Sequence, residues 1–172
     1  MDETTLFLDQ STKLVGWSIF TNDKLISHGS YDLSKINSGK DIVAHTEKRI
    51  HLIDKLCELI TKYNIAHVVY EDIFSTPNAI TFKLLAKVQG SLEDMSLRKG
   101  ITFEPILATT WRSYLPLIWE KKGRHDRKEV KSVVTSYFKS IFPNLADSTT
   151  EDEKEAILIG IAWTKNRSKT IL

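Results

Sequence analysis

Three apolar runs crowd into the first 33 residues with only short links between them, and after them the hydrophobic period changes. Residues 4–9, 15–20 and about 25–33 each read as a strand, and the stretch TNDK supplies the turn between the second and third. Links this short allow only antiparallel neighbours, because a parallel return needs a crossover of about a dozen residues or more. The chain is therefore committed to a meander before its first helix.

From Ile42 the rhythm is helical. Ile42, Thr46, Arg49/Ile50, Ile53, Leu56 and Ile60 recur every three or four positions, which predicts one amphipathic helix to about Lys62. The run IAHVVYE follows as a buried strand ending at Glu71. Pro77 opens a second helix, with Ile80, Leu84, Leu85, Val88, Leu92 and Met95 inward, and Gly100 stops it. ITFEPI is a fifth strand. A short helix from about Thr110, a charged loop near 120–126 and a helix from Arg127 to Phe142 come next, and Pro143 ends the last of these. The segment STTEDEKEAILIGIAW opens with capping residues and runs into an apolar helix. A meander followed by strand–helix crossovers predicts an α/β fold, a five-stranded mixed sheet flanked by helices, which is the ribonuclease-H-like arrangement. The 172 residues fit a single domain spanning 1–172, and 41% apolar residues supply its core.

Composition excludes several classes. A lone cysteine, Cys57, rules out an internal disulfide and reads as a buried helix-core thiol. MDETT has neither the basic start nor the apolar core of a signal peptide, and no apolar run approaches membrane length. The expectation is a soluble, cytoplasmic protein without a membrane partner. A net charge of +2 does not by itself demand nucleic acid, so local charge has to be read instead.

Two predicted strands end in an acid, Asp9 and Glu71, and a third acidic group, EDEKE at 151–155, opens the last helix. Each has a plain alternative. Asp9 can begin the turn in DQST, Glu71 with Asp72 can be a solvated strand end, and acids at a helix start complement its dipole. Together they suggest carboxylates gathered at one sheet edge, where mutual repulsion is relieved by a divalent cation. Carboxylate oxygens suit Mg²⁺ or Mn²⁺, and two such ions about 4 Å apart serve phosphodiester hydrolysis.

LFLDQSTKLVGWSIF, VVYEDIF and DEKEAILIGIAW, in this order and spacing, resemble the three acidic motifs of the RuvC Holliday-junction resolvases, in particular their phage-borne branch. The resemblance spans nearly the whole chain. It implies a dimeric, Mg²⁺-dependent endonuclease that nicks opposing strands of a four-way DNA junction, placed in the cytoplasm of a bacterial host if phage-encoded. By motif, Asp9 is the first-strand acid and Glu71 the fourth-strand acid, while Asp152 and Glu155 match the closing pair. The chain departs from the pattern with Glu at 155 in place of Asp, and with Gln10 where the family often has Pro. The resemblance also assigns a functional aromatic to Phe74, suited to stacking on an unpaired base. Nothing in the sequence points to a branch-migration motor as partner.

Helical rotation ranks the acids of the last motif. With Asp152 at zero, Ala156 and Gly160 lie at about 40° and about 80°, a small-residue face able to approach the sheet. Glu155, at about 300°, sits on the margin of that face. The order expected is Asp152, then Glu155, then Glu151, with Glu153 further round.

For DNA, residues 112–131 hold Arg112, Lys121, Lys122, Arg124, Arg127, Lys128 and Lys131 against three acids, a stripe suited to a phosphate backbone or to a solvated helix face. His125 falls within it, and Lys165, Arg167 and Lys169 form a second basic cluster. Thr12 and Lys13 lie beside Asp9, within reach of a phosphate or simply solvated. Gly16 allows another backbone, or DNA, to come close. Leu84, Leu85, Val88 and Leu92 are shared between core and dimer surface. The competing functions are a branched-DNA-binding module that does not cut and an RNA-processing nuclease of the same fold. An actin-like ATPase needs two such domains, and the chain is too short for that.

Overall fold

The structure, a computed structural model, describes residues 3–73, 78–119, 123 and 125–170, the last three as backbone only. The meander forms from β1 (Thr4–Asp9), β2 (Leu14–Thr21) and β3 (Lys24–Asp32), paired antiparallel in that order. Asn22 turns β2 into β3 with φ 57°, a left-handed conformation that asparagine tolerates. Helix α1 (Ile42–Tyr63) then crosses one face to β4 (His67–Asp72), which lies parallel to β1. Helix α2 (Ala79–Arg98) leads to β5 (Thr102–Leu107), parallel to β4. The sheet order is β3-β2-β1-β4-β5. Pro105 lies in β5, an edge strand, where a missing N–H costs no central ladder bond. Pro77 is outside the described residues, and Asn78 caps α2 through Ile80 N and Thr81 N.

Side-chain alternation gives the sheet two cores. Leu6, Leu8, Val15, Ile19, Val68 and Tyr70 point to the face covered by α1 and α2. Phe7, Phe20, Val69 and Ile106 point to the other, covered by α3 (Ala108–Ser113), α4 (Arg127–Ile141) and α5 (Glu151–Thr170). Helix α1 is turned relative to its periodicity. Ala44, Leu52, Leu56, Leu59 and Ile60 are buried, whereas Ile42 and Ile50 are exposed and Cys57 is only half-buried. In α2, Leu85, Val88, Leu92 and Met95 are inward, but Ile80 is exposed and Leu84 half-buried. Both helices carry apolar residues on the flanks of the stripe, so contact with the sheet decides the rotation.

Helix α5 runs closely over β2, and small residues permit it. A methyl group on Gly16 would overlap the Asp152 carbonyl, and one on Gly160 would overlap the Phe20 ring. Between them the Ser18 hydroxyl donates to the Ala156 carbonyl at 2.8 Å. A reciprocal box starts the helix: Thr150 Oγ1 accepts from Glu153 N, and Glu153 Oε2 accepts from Thr150 N. Among the described residues no helix is long and apolar enough to cross a membrane.

Candidate active site

The period-two pattern that puts Leu6 and Leu8 on one face puts Phe7 and Asp9 on the other, beneath α5. In β4 it does the same for Val69 and Glu71. β1 and β4 are parallel neighbours with Leu8 beside Tyr70, so the next residues, Asp9 and Glu71, leave the sheet side by side. From here the chain turns one way into β2 and the other way through α2 into β5. This is the crevice where open α/β sheets bind ligands.

Asp9, Glu71 and Glu155 each offer a carboxylate oxygen, and these oxygens all lie within 4.8 Å of one another. Asp152 lies outside that group, although its charge still acts on Asp9. The face of α5 that holds Asp152, Ala156 and Gly160 rests on β2 through main-chain and small-residue contacts. A residue turned toward β1 and β4 is what reaches the acids, and that residue is Glu155. On the other flank Glu153 reaches β3, where it meets His28 Nδ1 at 3.1 Å and Ser30 Oγ at 3.4 Å. Glu151 turns away to an ion pair with Lys131.

The electrostatics follow from this crowding. Burial holds the Asp9 carboxyl well above the usual range, and the charges of Glu71, Glu155 and Asp152 push the same way. Glu71 is pushed up to about 7, by burial first and then by Glu155. Glu155 is also raised by burial, with Arg112 opposing. A cluster that resists its own ionisation and offers only hard oxygen ligands fits Mg²⁺ or Mn²⁺ and does not suit a softer metal.

Helix α3 follows the carboxyl end of β5 directly and supports the acids from the third parallel strand. Trp111 Nε1 donates to Glu71 Oε2 at 2.7 Å. Arg112 Nη2 donates to Glu155 Oε2 at 3.1 Å, while its guanidinium lies 4.8 Å from the Trp111 ring centroid. The Arg112 Nε atom is buried with no hydrogen-bond partner among the described residues. The side-chain amides of Gln10 and Gln89 both donate to the Glu71 carbonyl, at 3.1 and 3.2 Å, and fix the end of β4. Sequence reasoning missed Trp111 and Gln89, and gave Arg112 to DNA. The available signal was positional: residues just after a third parallel strand must sit beside those ending the first two.

The remaining expected site residues divide. Arg127, Lys128 and Lys131 are exposed on α4, and the positive charges of Arg127 and Lys131 act on Asp152. His125 stacks on Trp119 at 4.2 Å and meets Glu129 Oε1 at 2.9 Å. Phe74, Lys121, Lys122 and Arg124 lie outside the described residues. Gly16 admits a backbone, that of α5. Arg167 pairs with Glu3 at the start of β1, the end of the strand opposite Asp9, and stacks on Trp163.

No protein-family model and no curated protein matches the chain by sequence. Its fold does match solved structures. Thermus thermophilus RuvC in complex with a Holliday junction substrate superposes with a TM-score of 0.73 at 11% identity, covering 98% of this chain and 97% of that one. The yeast mitochondrial Holliday junction resolvase gives 0.62 at 13% identity, covering 99% and 87%. Fowlpox virus resolvase with its junction DNA gives 0.61 at 15%, covering 95% and 98%. The five-stranded mixed sheet with flanking helices is thus the ribonuclease-H-like fold of these proteins, end to end.

Proposed function

We propose that the chain is a divalent-metal-dependent endonuclease that resolves four-way DNA junctions by phosphodiester hydrolysis. The observation that carries this reading is the meeting of Asp9, Glu71 and Glu155 at the strand ends of a fold shared, over nearly its whole length, with three junction resolvases. Asp9, Glu71 and Glu155 hold the metal, with Asp152 adding charge from one side. Mg²⁺, with Mn²⁺ as substitute and two ions per site, supplies Lewis acidity toward the phosphate and a more acidic water when bound. Trp111 and Arg112 orient Glu71 and Glu155, so two of the three carboxylates present fixed oxygens. Helix α5, seated on Gly16, closes one side of the site to bulk water.

The working unit is a homodimer, because two paired cuts across a near two-fold junction need two active sites. Exposed Phe82 and Leu97, within about 60° of one another around α2, are apolar surface that such pairing would cover.

The test is incubation with Mg²⁺ and labelled four-way junction, duplex, flap and structured RNA. Paired nicks in the junction are expected, with Asp9→Asn binding but not cutting. Preferential cutting of duplex or RNA, or cutting by Asp9→Asn at the wild-type rate, overturns the reading. A non-cleaving junction binder is the second reading, favoured by the guanidinium of Arg112 already lying against Glu155. Junctions bound but uncut with both Mg²⁺ and Mn²⁺ would select it.

A further inference from the structure

A cleft of about 30 Å³ opens on the opposite face of the sheet from α4, between the β1–β2 turn, α1 and α2. Ser11 and Thr12 form one wall, Lys48, Arg49 and Lys87 bring its charge, and His45 lines it beside them. No acidic side chain lines it among the described residues. Arg49 is anchored, with Nη1 donating to Ser91 Oγ at 2.6 Å, and Lys48 Nζ lies 3.4 Å from the Gly39 carbonyl. Lys87 is exposed at the rim. The volume takes one or two water-sized groups, the scale of phosphate oxygens and too small for a stacked base.

Position adds to chemistry. Ser11 follows Asp9 by two residues, so the cleft begins within about 7 Å of the acids along the chain. On a nucleic-acid strand one phosphate recurs about every 3.4 Å of axial rise. A strand with its reacting phosphate at Asp9 that continues past Ser11, round the end of the sheet, would bring a nearby phosphate to this cleft. Arg127, Lys128 and Lys131 lie on α4, across the sheet from this cleft and on the face that holds the acids, with Lys131 paired to Glu151.

Resting on the nuclease reading above, we propose that this cleft is a second phosphate-binding site that grips the cut strand next to the scissile position. Lys48 and Lys87 give charge, and Thr12 gives a hydroxyl. Sequence reasoning placed DNA contacts on 112–131 and Phe74, put Thr12 and Lys13 within reach of a phosphate, and gave no contact to α1 or α2.

The experiment measures junction affinity against salt for wild type, for Lys48→Ala with Lys87→Ala, and for a control pair, Lys24→Ala with Lys62→Ala. The control pair removes the same charge. Lys62 is 20 residues along α1 from Ile42, about 30 Å away, and Lys24 pairs with Thr21 at the sheet end opposite Asp9. Two lost contacts at about 0.9 each make the log–log slope shallower by about 1.8. The affinity lost by wild type between 50 and 200 mM salt then exceeds that of the cleft variant by about twelvefold. The Gln pair at 48 and 87, which keeps the aliphatic stems, gives the same slope if the Ala pair unfolds early. A wild-type slope in the cleft variant, or an equal change in the control pair, overturns the cleft while leaving the nuclease reading intact. A wild type that binds no branched DNA overturns both.

Discussion

Glu71→Gln should stabilise the metal-free protein at neutral and alkaline pH. The folded-state pKa of Glu71 is pushed from 4.5 to about 7 by burial and by Glu155. Between these values the folded protein keeps a proton that the unfolded chain has released. The stability linked to Glu71 is therefore complete below about pH 4.5 and is lost as pH rises through about 7. The shift spans about 2.5 units at about 1.4 kcal/mol each, so ionised Glu71 costs the fold on the order of 3 kcal/mol above pH 7. Gln removes that cost and can still accept from Trp111, but the bond loses its charge assistance, worth about 1 kcal/mol. The net gain is about 2 kcal/mol, or about 4–8 °C in melting temperature for a chain of this length. The assay is thermal unfolding of both proteins in chelator from pH 4 to 8.5, read as their difference so that titrations outside the acid cluster cancel. The difference should be near zero or negative at pH 4 and grow through pH 7. Mg²⁺ at pH 8 should raise wild type and leave the variant nearly unchanged. A variant less stable than wild type at pH 8 in chelator, or a difference flat with pH, would refute the reasoning.

Other substitutions probe the same geometry. Gly16→Ala should cost about 3 kcal/mol and most of the cleavage, because the new methyl meets the backbone of α5, which cannot move aside as a side chain can. Chemical denaturation and a junction-cutting assay check both effects. Glu155→Gln should lower the cutting rate by orders of magnitude and Asp152→Asn by less; the reverse order in single-turnover assays would rotate α5 away from the position described. Glu153→Ala should cost about 1–2 kcal/mol through loss of the capping box and the His28 contact, with cutting intact, since Glu153 faces β3. Denaturation and the same cutting assay separate the two effects.

The sequence carried the sheet and most of the helices because those depend on local period. Thr4–Asp9 and Arg127–Ile141 are written in the spacing of their apolar residues and in their stops. The placing of Asp9 and Glu71 on one face was also legible, since alternation along a strand is strict and both close an apolar run. What local pattern could not supply was helix rotation. Residues 156–163, AILIGIAW, are apolar all round, so nothing along the chain says which side of α5 meets which strand. The choice is made by Gly16, Ser18 and Gly160, which let α5 settle on β2 and turn Glu155, ahead of Asp152, toward the acids. The roles of Trp111 and Arg112, and the basic cleft beside Ser11, depend on pairs of residues about 40 or more positions apart, or on three elements meeting. One-dimensional spacing carries the period of an element; only packing decides which faces confront each other, because burial rewards the whole set of contacts and not any single stretch.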